Sequence, residues 1–505
     1  MTLQTFSAAF AAATSQTPDS HFTVYSEVRP SQTQLADIHA AGQRLGSRMI
    51  EAGIAPGDRI AVMLPNWREW LVCAVACAHA GAVILPVVTI YGAKELGFIL
   101  RQSGARWLFT PEQWRGVDYA AVVADCGDLP ALDRHVCLGE AFDRLEADGP
   151  VLPAVPAAPD DLAMLVYTSG TTADPKGVKH SHRSLLAELA VQQAARGHVQ
   201  NEVVLSPWPP GHVAGALSML RFLVHGVPIV AMDQWDATAA ARLIEEHRVT
   251  SSSGTPFHLS GIIEAAERDG RDVGSLINYL VGAAPVPSTL VERSLARGIA
   301  VYHCYGSSEH PTVTSGTVDD PLDKQLHTEG RVMAGSELRF VDDDGRDVPP
   351  GEEGEIATRG PELFVGYYDE ALNAAAFLPG GWYRTGDIGR LDAEGYLLIT
   401  DRKKDIIIRG GENISSKEVE ELLLDLPQVA EVAVVAAKHE RMGEVVHAVI
   451  VARPGQTLTL DAIRAHFAAA GIARQKTPEK LTLVDALPRN ATGKILKHLL
   501  RNNAA

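Results

Sequence analysis

The apolar run Leu162-Ala163-Met164-Leu165-Val166-Tyr167 reads as a buried strand, and it ends abruptly in a polar, glycine-containing stretch at 168–177. Elsewhere the pattern alternates between helix and strand. An amphipathic helix is predicted over 35–52, followed by the turn Gly53-Ile54-Ala55-Pro56-Gly57-Asp58 and a short strand at 59–64. The long apolar segment 71–88 is predicted as a buried helix followed by a buried strand. His79, Gly81 and Pro86 inside it argue against a bilayer span. Strands at 105–110, 226–232 and 299–303 continue the rhythm, which favours parallel sheets with helices on both faces.

Around 325–400 the rhythm changes. Short alternating strands at 337–342, 354–359 and 396–400 are separated by turns such as Asp343-Asp344-Gly345, so a small antiparallel β subdomain is predicted. The charged stretch Asp401-Arg402-Lys403-Lys404-Asp405 reads as a linker. Residues 406–505 then form a compact α+β unit with strands at 431–437 and 446–452. No internal repeat or low-complexity tract interrupts the chain.

Composition narrows the class. At 505 residues the chain has room for about three domains or subdomains. Its 46% apolar and 21% charged residues are those of a globular protein with an ample core. A net charge of −17 excludes nucleic acid as the main partner, but a local basic pocket for a nucleotide remains compatible with it. The cysteines stand at 73, 77, 126, 137 and 304, without zinc-ligand spacing, so reduced thiols in a cytoplasmic enzyme are expected. Cys73 and Cys77 share a helical face among Val, Ala and Leu and are expected to be packed, not ligating. The first twenty residues hold no Lys or Arg and do not read as a signal peptide.

Chemistry concentrates in the stretch Thr168-Ser169-Gly170-Thr171-Thr172-Ala173-Asp174-Pro175-Lys176-Gly177. Its hydroxyls, its lysine and the backbone N–H groups that glycine exposes suit a polyphosphate. The order is neither that of the common phosphate loop nor that of a dinucleotide fingerprint. A polar surface turn is the plain alternative, and other segments decide between them. Gly282-Ala283-Ala284-Pro285 follows an apolar pair, as a strand-end turn on which a flat ring can lie. Tyr305-Gly306-Ser307-Ser308-Glu309 offers an aromatic ring, a hydroxyl and a carboxylate able to hold Mg²⁺ against phosphate. Asp387, in Trp382-Tyr383-Arg384-Thr385-Gly386-Asp387, can accept from two ribose hydroxyls. Arg402 lies in the charged stretch, and Lys494 in Asn490-Ala491-Thr492-Gly493-Lys494.

With these motifs in order from Gly57-Asp58-Arg59 to Lys494, the chain closely resembles the adenylate-forming superfamily of acyl-CoA synthetases, beetle luciferases and adenylation domains. The resemblance implies an α/β fold: a large N-terminal domain, 1–401, of two doubly wound sheets plus the β subdomain, then a smaller mobile α+β domain, 402–505, hinged near Lys404. It places Thr168, Ser169, Gly170, Thr171, Thr172 and Lys176 on the β- and γ-phosphates. Ala283, Ala284 and Tyr305 match the adenine site, with Gly306 among the nucleotide-binding residues, Ser308 the α-phosphate hydroxyl and Glu309 the Mg²⁺ ligand. Asp387 and Arg402 match the ribose contacts, and His212, in Pro207-Trp208-Pro209-Pro210-Gly211-His212, the gate beside the acyl carboxylate. Lys494 matches the lysine bridging carboxylate and ATP. Arg409 and Gly410 match the strand lining the pantetheine tunnel. Lys494, Glu309, His212 and Thr171 would thus carry the catalysis.

The implied reaction joins a carboxylic acid to coenzyme A at the expense of ATP, through an acyl-adenylate, with release of pyrophosphate and AMP. The run Ile406-Ile407-Ile408-Arg409-Gly410-Gly411-Glu412-Asn413-Ile414-Ser415 resembles the branch acting on fatty, alicyclic or aromatic acids, and Ser307 stands where the acetate-specific branch has tryptophan. A medium-sized apolar acid is the expected substrate, and a stand-alone ligase, with room for a homodimer, the expected form. Delivery of the acyl group to a carrier protein and a non-catalytic nucleotide- or acyl-binding role are the alternatives. The chain departs from the superfamily pattern at Ala173, where glycine is usual, at Ser308, where threonine is usual, and at His303-Cys304, where a polar–glycine pair is typical. His180 and His182 are expected to cap or solvate a helix starting near Ser184. Lys403 and Lys417 are expected to be solvated charges.

Overall fold

The computed structural model describes residues 4–168, 175–196, 199, 201–282, 286–490 and 493–502. Among them the strands form two large sheets, a five-stranded sheet after them, a separate five-stranded C-terminal sheet and a two-stranded ribbon of Gln113–Trp114 with Val117–Asp118. The first large sheet has Asn278–Val281, Ser251–Gly254, Val204–Ser206 and Ile229–Met232 as parallel neighbours at its centre, with Ala300–Tyr305 beside them. The second places Val83–Pro86 between Leu162–Thr168 and Arg59–Val62, with Trp107–Thr110 and Arg134–Cys137 outside. These strands are short and nearly all buried, as parallel strands covered on both faces must be.

The segment 71–88 divides as its pattern predicts. Helix Arg68–Ala80 is buried almost all round, ends at the left-handed Gly81 (φ 68°), and strand Val83–Pro86 follows. Helix Leu35–Glu51 buries Ile38, Ala41, Leu45 and Met49 at helical spacing against it. Cys73 and Cys77 are buried in this core, and burial pushes both thiols up. Among the described residues no helix is long and apolar enough to cross a membrane.

The predicted β subdomain is an antiparallel sheet of Glu337–Val341, Gly354–Arg359, Trp382–Leu391, Phe377–Leu378 and Leu397–Arg402. Its last strand corrects the linker expectation. Asp401 and Arg402 are still paired, with Ile388 and Asp387, and only the turn after them is free of strand. Beyond it, Val429–His439 and Gly443–Ala452 form a long hairpin flanked by Ile407–Arg409 and Lys480–Leu483, packed on helices Ser416–Leu424 and Leu460–Ala469.

Candidate active site

Parallel strands in register bring their carboxyl ends to one edge, where α/β sheets bind ligands. In the first sheet Gly254 pairs with Val281 and Val281 with His303. The residues leaving these strands therefore emerge side by side: 207–212, Thr255 at the start of helix Pro256–Asp269, Gly282, and 306–310. Thr168, at the end of its own strand, faces Lys176 across an antiparallel pair that closes the polar loop. Ser169, Gly170, Thr171, Thr172, Ala283 and Ala284 lie outside the described residues.

Asp387 is the centre of the observed cluster. It is 5% exposed; its Oδ2 accepts from the Tyr305 hydroxyl at 2.8 Å, and its Oδ1 accepts from Arg402 Nε. Burial and then the Asp387 charge raise the Tyr305 pKa well above its usual value, so the phenol is a donor at any working pH. The backbone of 306–311 folds back so tightly that a Cβ on Gly306 would fall 1.9 Å from the Pro311 carbonyl oxygen, which leaves glycine as the residue that fits.

Glu309 is buried, and its Oε1 accepts from the Tyr367 hydroxyl at 2.7 Å. The Lys176 ammonium stands 5.4 Å over the Tyr367 ring, so one tyrosine joins the polar loop to the proposed metal carboxylate. Tyr367 carries no motif that would have revealed it; its neighbour Tyr383, 3.4 Å away through their hydroxyls, lies in the Trp382–Asp387 run, where only Asp387 was singled out. Among the described residues no group of three or more His, Cys, Asp or Glu is placed to hold a metal. The Glu309 carboxylate is an oxygen donor of the kind magnesium takes, and one or two such carboxylates suffice beside phosphate oxygens.

The histidine expectation is corrected at His180. It neither caps nor meets solvent: it is fully buried, with Nε2 2.8 Å from the Ser308 carbonyl and Nδ1 3.3 Å from Ser184 Oγ. It thereby pins the backbone between Ser308 and Glu309. Ser181 supplies the cap of helix His182–Ala195, and His182 takes the Phe6 N–H on Nδ1. Lys403 pairs with Asp343 and Glu355, and Lys417 Nζ donates to the Ile399 carbonyl at 2.6 Å. Both were expected to be solvated: Lys403 is exposed while it pairs, and Lys417 is instead partly buried on a strand carbonyl.

His212 caps helix Val213–His225 with its backbone, and its Nε2 is buried without a hydrogen-bond partner among the described residues. Burial lowers its pKa to about 4, so it is a neutral imidazole.

The C-terminal domain completes the cluster. Two of its residues meet the start of helix Pro256–Asp269: Arg489 lies over the Phe257 ring at 5.6 Å, and Gly493 (φ 81°) leaves only 3.2 Å between an added Cβ and Thr255 Oγ1. Lys494 is thereby brought into the electrostatic reach of Arg402, Asp387, Lys404 and Asp405. Lys494 itself keeps accessible surface. Burial first, and then the Arg402 charge, lower its pKa to about 8, and Lys404 is lowered to about 8 for the same two reasons. Arg409 and Gly410 stand apart from this cluster. Arg409 forms a two-bond pair with Glu479 at 3.0 and 2.8 Å, and the Gly410 N–H donates to the Met442 carbonyl.

The sequence of residues 10–368 matches the AMP-binding enzyme family, and residues 418–494 match the AMP-binding enzyme C-terminal domain. The chain belongs to the AMP-binding enzyme family. It is 37% identical over 490 residues to the medium-chain fatty-acid–CoA ligase of Escherichia coli K12, covering 94% of this chain and 86% of that one. It is 36% identical over 523 residues to the 3-[(3aS,4S,7aS)-7a-methyl-1,5-dioxo-octahydro-1H-inden-4-yl]propanoyl:CoA ligase of Mycobacterium tuberculosis H37Rv, covering 99% of each. Among solved structures, ATP-bound MatB from Rhodopseudomonas palustris superposes with a TM-score of 0.88 at 26% identity, covering 98% of both chains.

Proposed function

We propose that this protein is an ATP-dependent carboxylic acid–CoA ligase, forming first an acyl-adenylate and then an acyl-CoA thioester. The observation that carries the reading is Lys494, delivered by the C-terminal domain to the side of the Asp387–Arg402 pair. A carboxylate oxygen attacking the α-phosphorus of ATP brings two anions together, and a lysine at that point offsets their repulsion without rearrangement. The P–O bond to pyrophosphate breaks as the new one forms. In the second half-reaction a thiol sulfur attacks the acyl carbonyl, and AMP leaves.

Each residue of the cluster has a part that its chemistry supports. Asp387 accepts one bond on each oxygen and keeps lone pairs for two ribose hydroxyls. Lys176, with the hydroxyls of 168–172, would hold the departing pyrophosphate, and Ser308 the α-phosphate. Glu309 is the proposed Mg²⁺ ligand; the ion, when bound, supplies positive charge to the phosphates. His212, neutral, screens the carboxylate from water without adding charge. Arg409 and Gly410 serve the second half-reaction once the domain from 402 onward has turned about Lys404, which is the part their distance from the cluster supports.

The acid belongs, on this reading, to the medium-sized apolar class spanned by the fatty acid and the bicyclic keto acid in the two relatives' names. Five free thiols support a reducing, cytoplasmic setting. The test is pyrophosphate release across fatty, alicyclic and aromatic acids, with CoA or a holo-carrier protein as acceptor. Carboxylate-dependent pyrophosphate together with acyl-CoA is expected. Transfer to the carrier alone would move the protein to that class, and no release with any acid would remove it from the ligases.

A further inference from the structure

Helix Val213–His225 runs away from His212 and is buried on nearly every side. Ala214, Ser218 and His225 keep partial exposure, and their i, i+4, i+11 spacing puts them on one face. Arg221, at i+7, lies on the same face and is 4% exposed. Its Nε and Nη2 donate to Gln193 Oε1 at 3.2 and 3.0 Å, and Nη2 donates to Glu202 Oε2 at 2.5 Å. Two atoms of this pair are left over. Arg221 Nη1, a donor, and Glu202 Oε1, an acceptor, are both buried with no partner among the described residues.

The surroundings are polar where a pocket for an apolar chain would otherwise be greasy. Tyr302 and Cys304 leave strand Ala300–Tyr305 on one face; the Tyr302 phenol lies in the fields of Arg196, Arg221 and Glu202, and the Cys304 thiol in those of Arg196 and Glu188. Cys304 Sγ also sits 3.0 Å from where a Cβ on Gly282 would stand, at the strand end that borders the adenylation cluster. Gln193 and Glu202, both partners of Arg221, in addition border a hollow of about 410 Å³ with Val203, Gly226 and Pro228.

We infer that Arg221 and Glu202 form a distal subsite for a neutral oxygen substituent, a hydroxyl or an oxo group, carried by the acid about 13 Å along the helix from the gate. The inference rests on the acid–CoA ligase reading above. A hydroxyl accepts from Nη1 and donates to Oε1, satisfying both orphan atoms; an oxo group satisfies the first. A plain hydrocarbon chain satisfies neither, and buried polar atoms left unpaired oppose its binding. A second carboxylate fails for another reason: it would stand beside the Glu202 carboxylate, whose free Oε1 has no proton to donate to it and repels it.

The experiment compares kcat/KM for pyrophosphate release with octanoate, 8-hydroxyoctanoate, 7-oxo-octanoate and octanedioate. The oxygenated monoacids are expected to exceed octanoate by about tenfold or more, and octanedioate to fall below it. The paired variant Arg221→Met/Glu202→Leu should collapse the first preference to within about threefold of 1. Glu202→Gln leaves the guanidinium charge unbalanced and should raise octanedioate relative to octanoate by about tenfold, a gain that loss of packing does not produce; it decides the matter if the double variant fails to fold. Equal rates for octanoate and both oxygenated acids in the native protein, or ratios unmoved in the folded variants, overturn the subsite. Absence of pyrophosphate with all four acids strikes the ligase reading instead.

Discussion

Asp387 and Arg402 face each other across the antiparallel strands Trp382–Leu391 and Leu397–Arg402, and the arginine's Nε donates to the aspartate. Arg402 is also the last paired residue before the chain crosses to the C-terminal domain, so the nucleotide site and the domain junction share one ion pair. Asp387→Ala removes the acceptor for Arg402 and Tyr305 together. We expect the KM for ATP to rise by about ten- to a hundredfold, the scale for losing hydrogen bonds to a charged group. Tyr305→Phe leaves the ion pair and should cost about tenfold or less. Steady-state kinetics in ATP checks the order; equal effects of the two variants would contradict it.

Lys494→Ala should slow adenylation by about 10²–10³-fold, the scale for one preorganised electrostatic donor. Thioester formation from preformed acyl-adenylate should change far less, because the lysine attends to the first half-reaction alone. Single-turnover rates of the two halves separate these outcomes. Equal losses in both would remove Lys494 from its role.

The depressed lysine has a pH signature. Lys494 acts as an ammonium, and in the nucleotide-free protein its pKa is lowered to about 8 by burial and by Arg402. The profile of kcat/KM for ATP, which reports the free enzyme, should therefore fall above about pH 8. Lys404 is lowered to about 8 as well, so the two sites must be distinguished. Lys404→Met should keep the descending limb and Lys494→Arg should move it upward by more than one unit. A profile flat to pH 9.5 in the unmodified protein would refute the assignment.

Much of this architecture is legible in the chain, and the reasons are local. Segment 71–88 announces a buried helix and strand because its apolar content is continuous and Gly81 breaks it. Asp387, Arg402 and Lys494 are legible through motifs in a fixed order, although they meet only through tertiary contacts. Tyr367 and His180 are not: each takes its role from one distant partner, Glu309 or the Ser308 carbonyl, and nothing in the neighbouring residues encodes that partner. Arg221 is hidden in an apolar helical pattern, where its charge looks like an error until Glu202 is seen beside it.

Glu188 gives a stability prediction with a definite sign. It is fully buried; its Oε1 accepts from the Thr312 hydroxyl at 2.6 Å and from Gln192, while Oε2 has no partner among the described residues. Burial, opposed by the Thr312 bond and reinforced by the nearby Glu362 charge, pushes its pKa up to about 7. The folded protein then binds this proton more tightly than the unfolded chain, so stability is full below the ordinary glutamate range and declines as pH rises through 7. The decline is on the order of 3 kcal/mol. Buried His180, His182, His212 and His258 act the other way: burial lowers each to about 4, so their contribution is lost as pH falls from about 6.5 toward 4. Glu188→Gln keeps the acceptor oxygen and replaces the proton with an amide that never ionises. Relative to the parent, the variant's melting temperature should gain several degrees between pH 5 and pH 8.5, most of the gain falling below about pH 7, with the histidine-driven acid loss unchanged. Thermal melts from pH 5 to 9 test this, and a difference between the two proteins that stays constant across that range would mean that Glu188 titrates alike folded and unfolded.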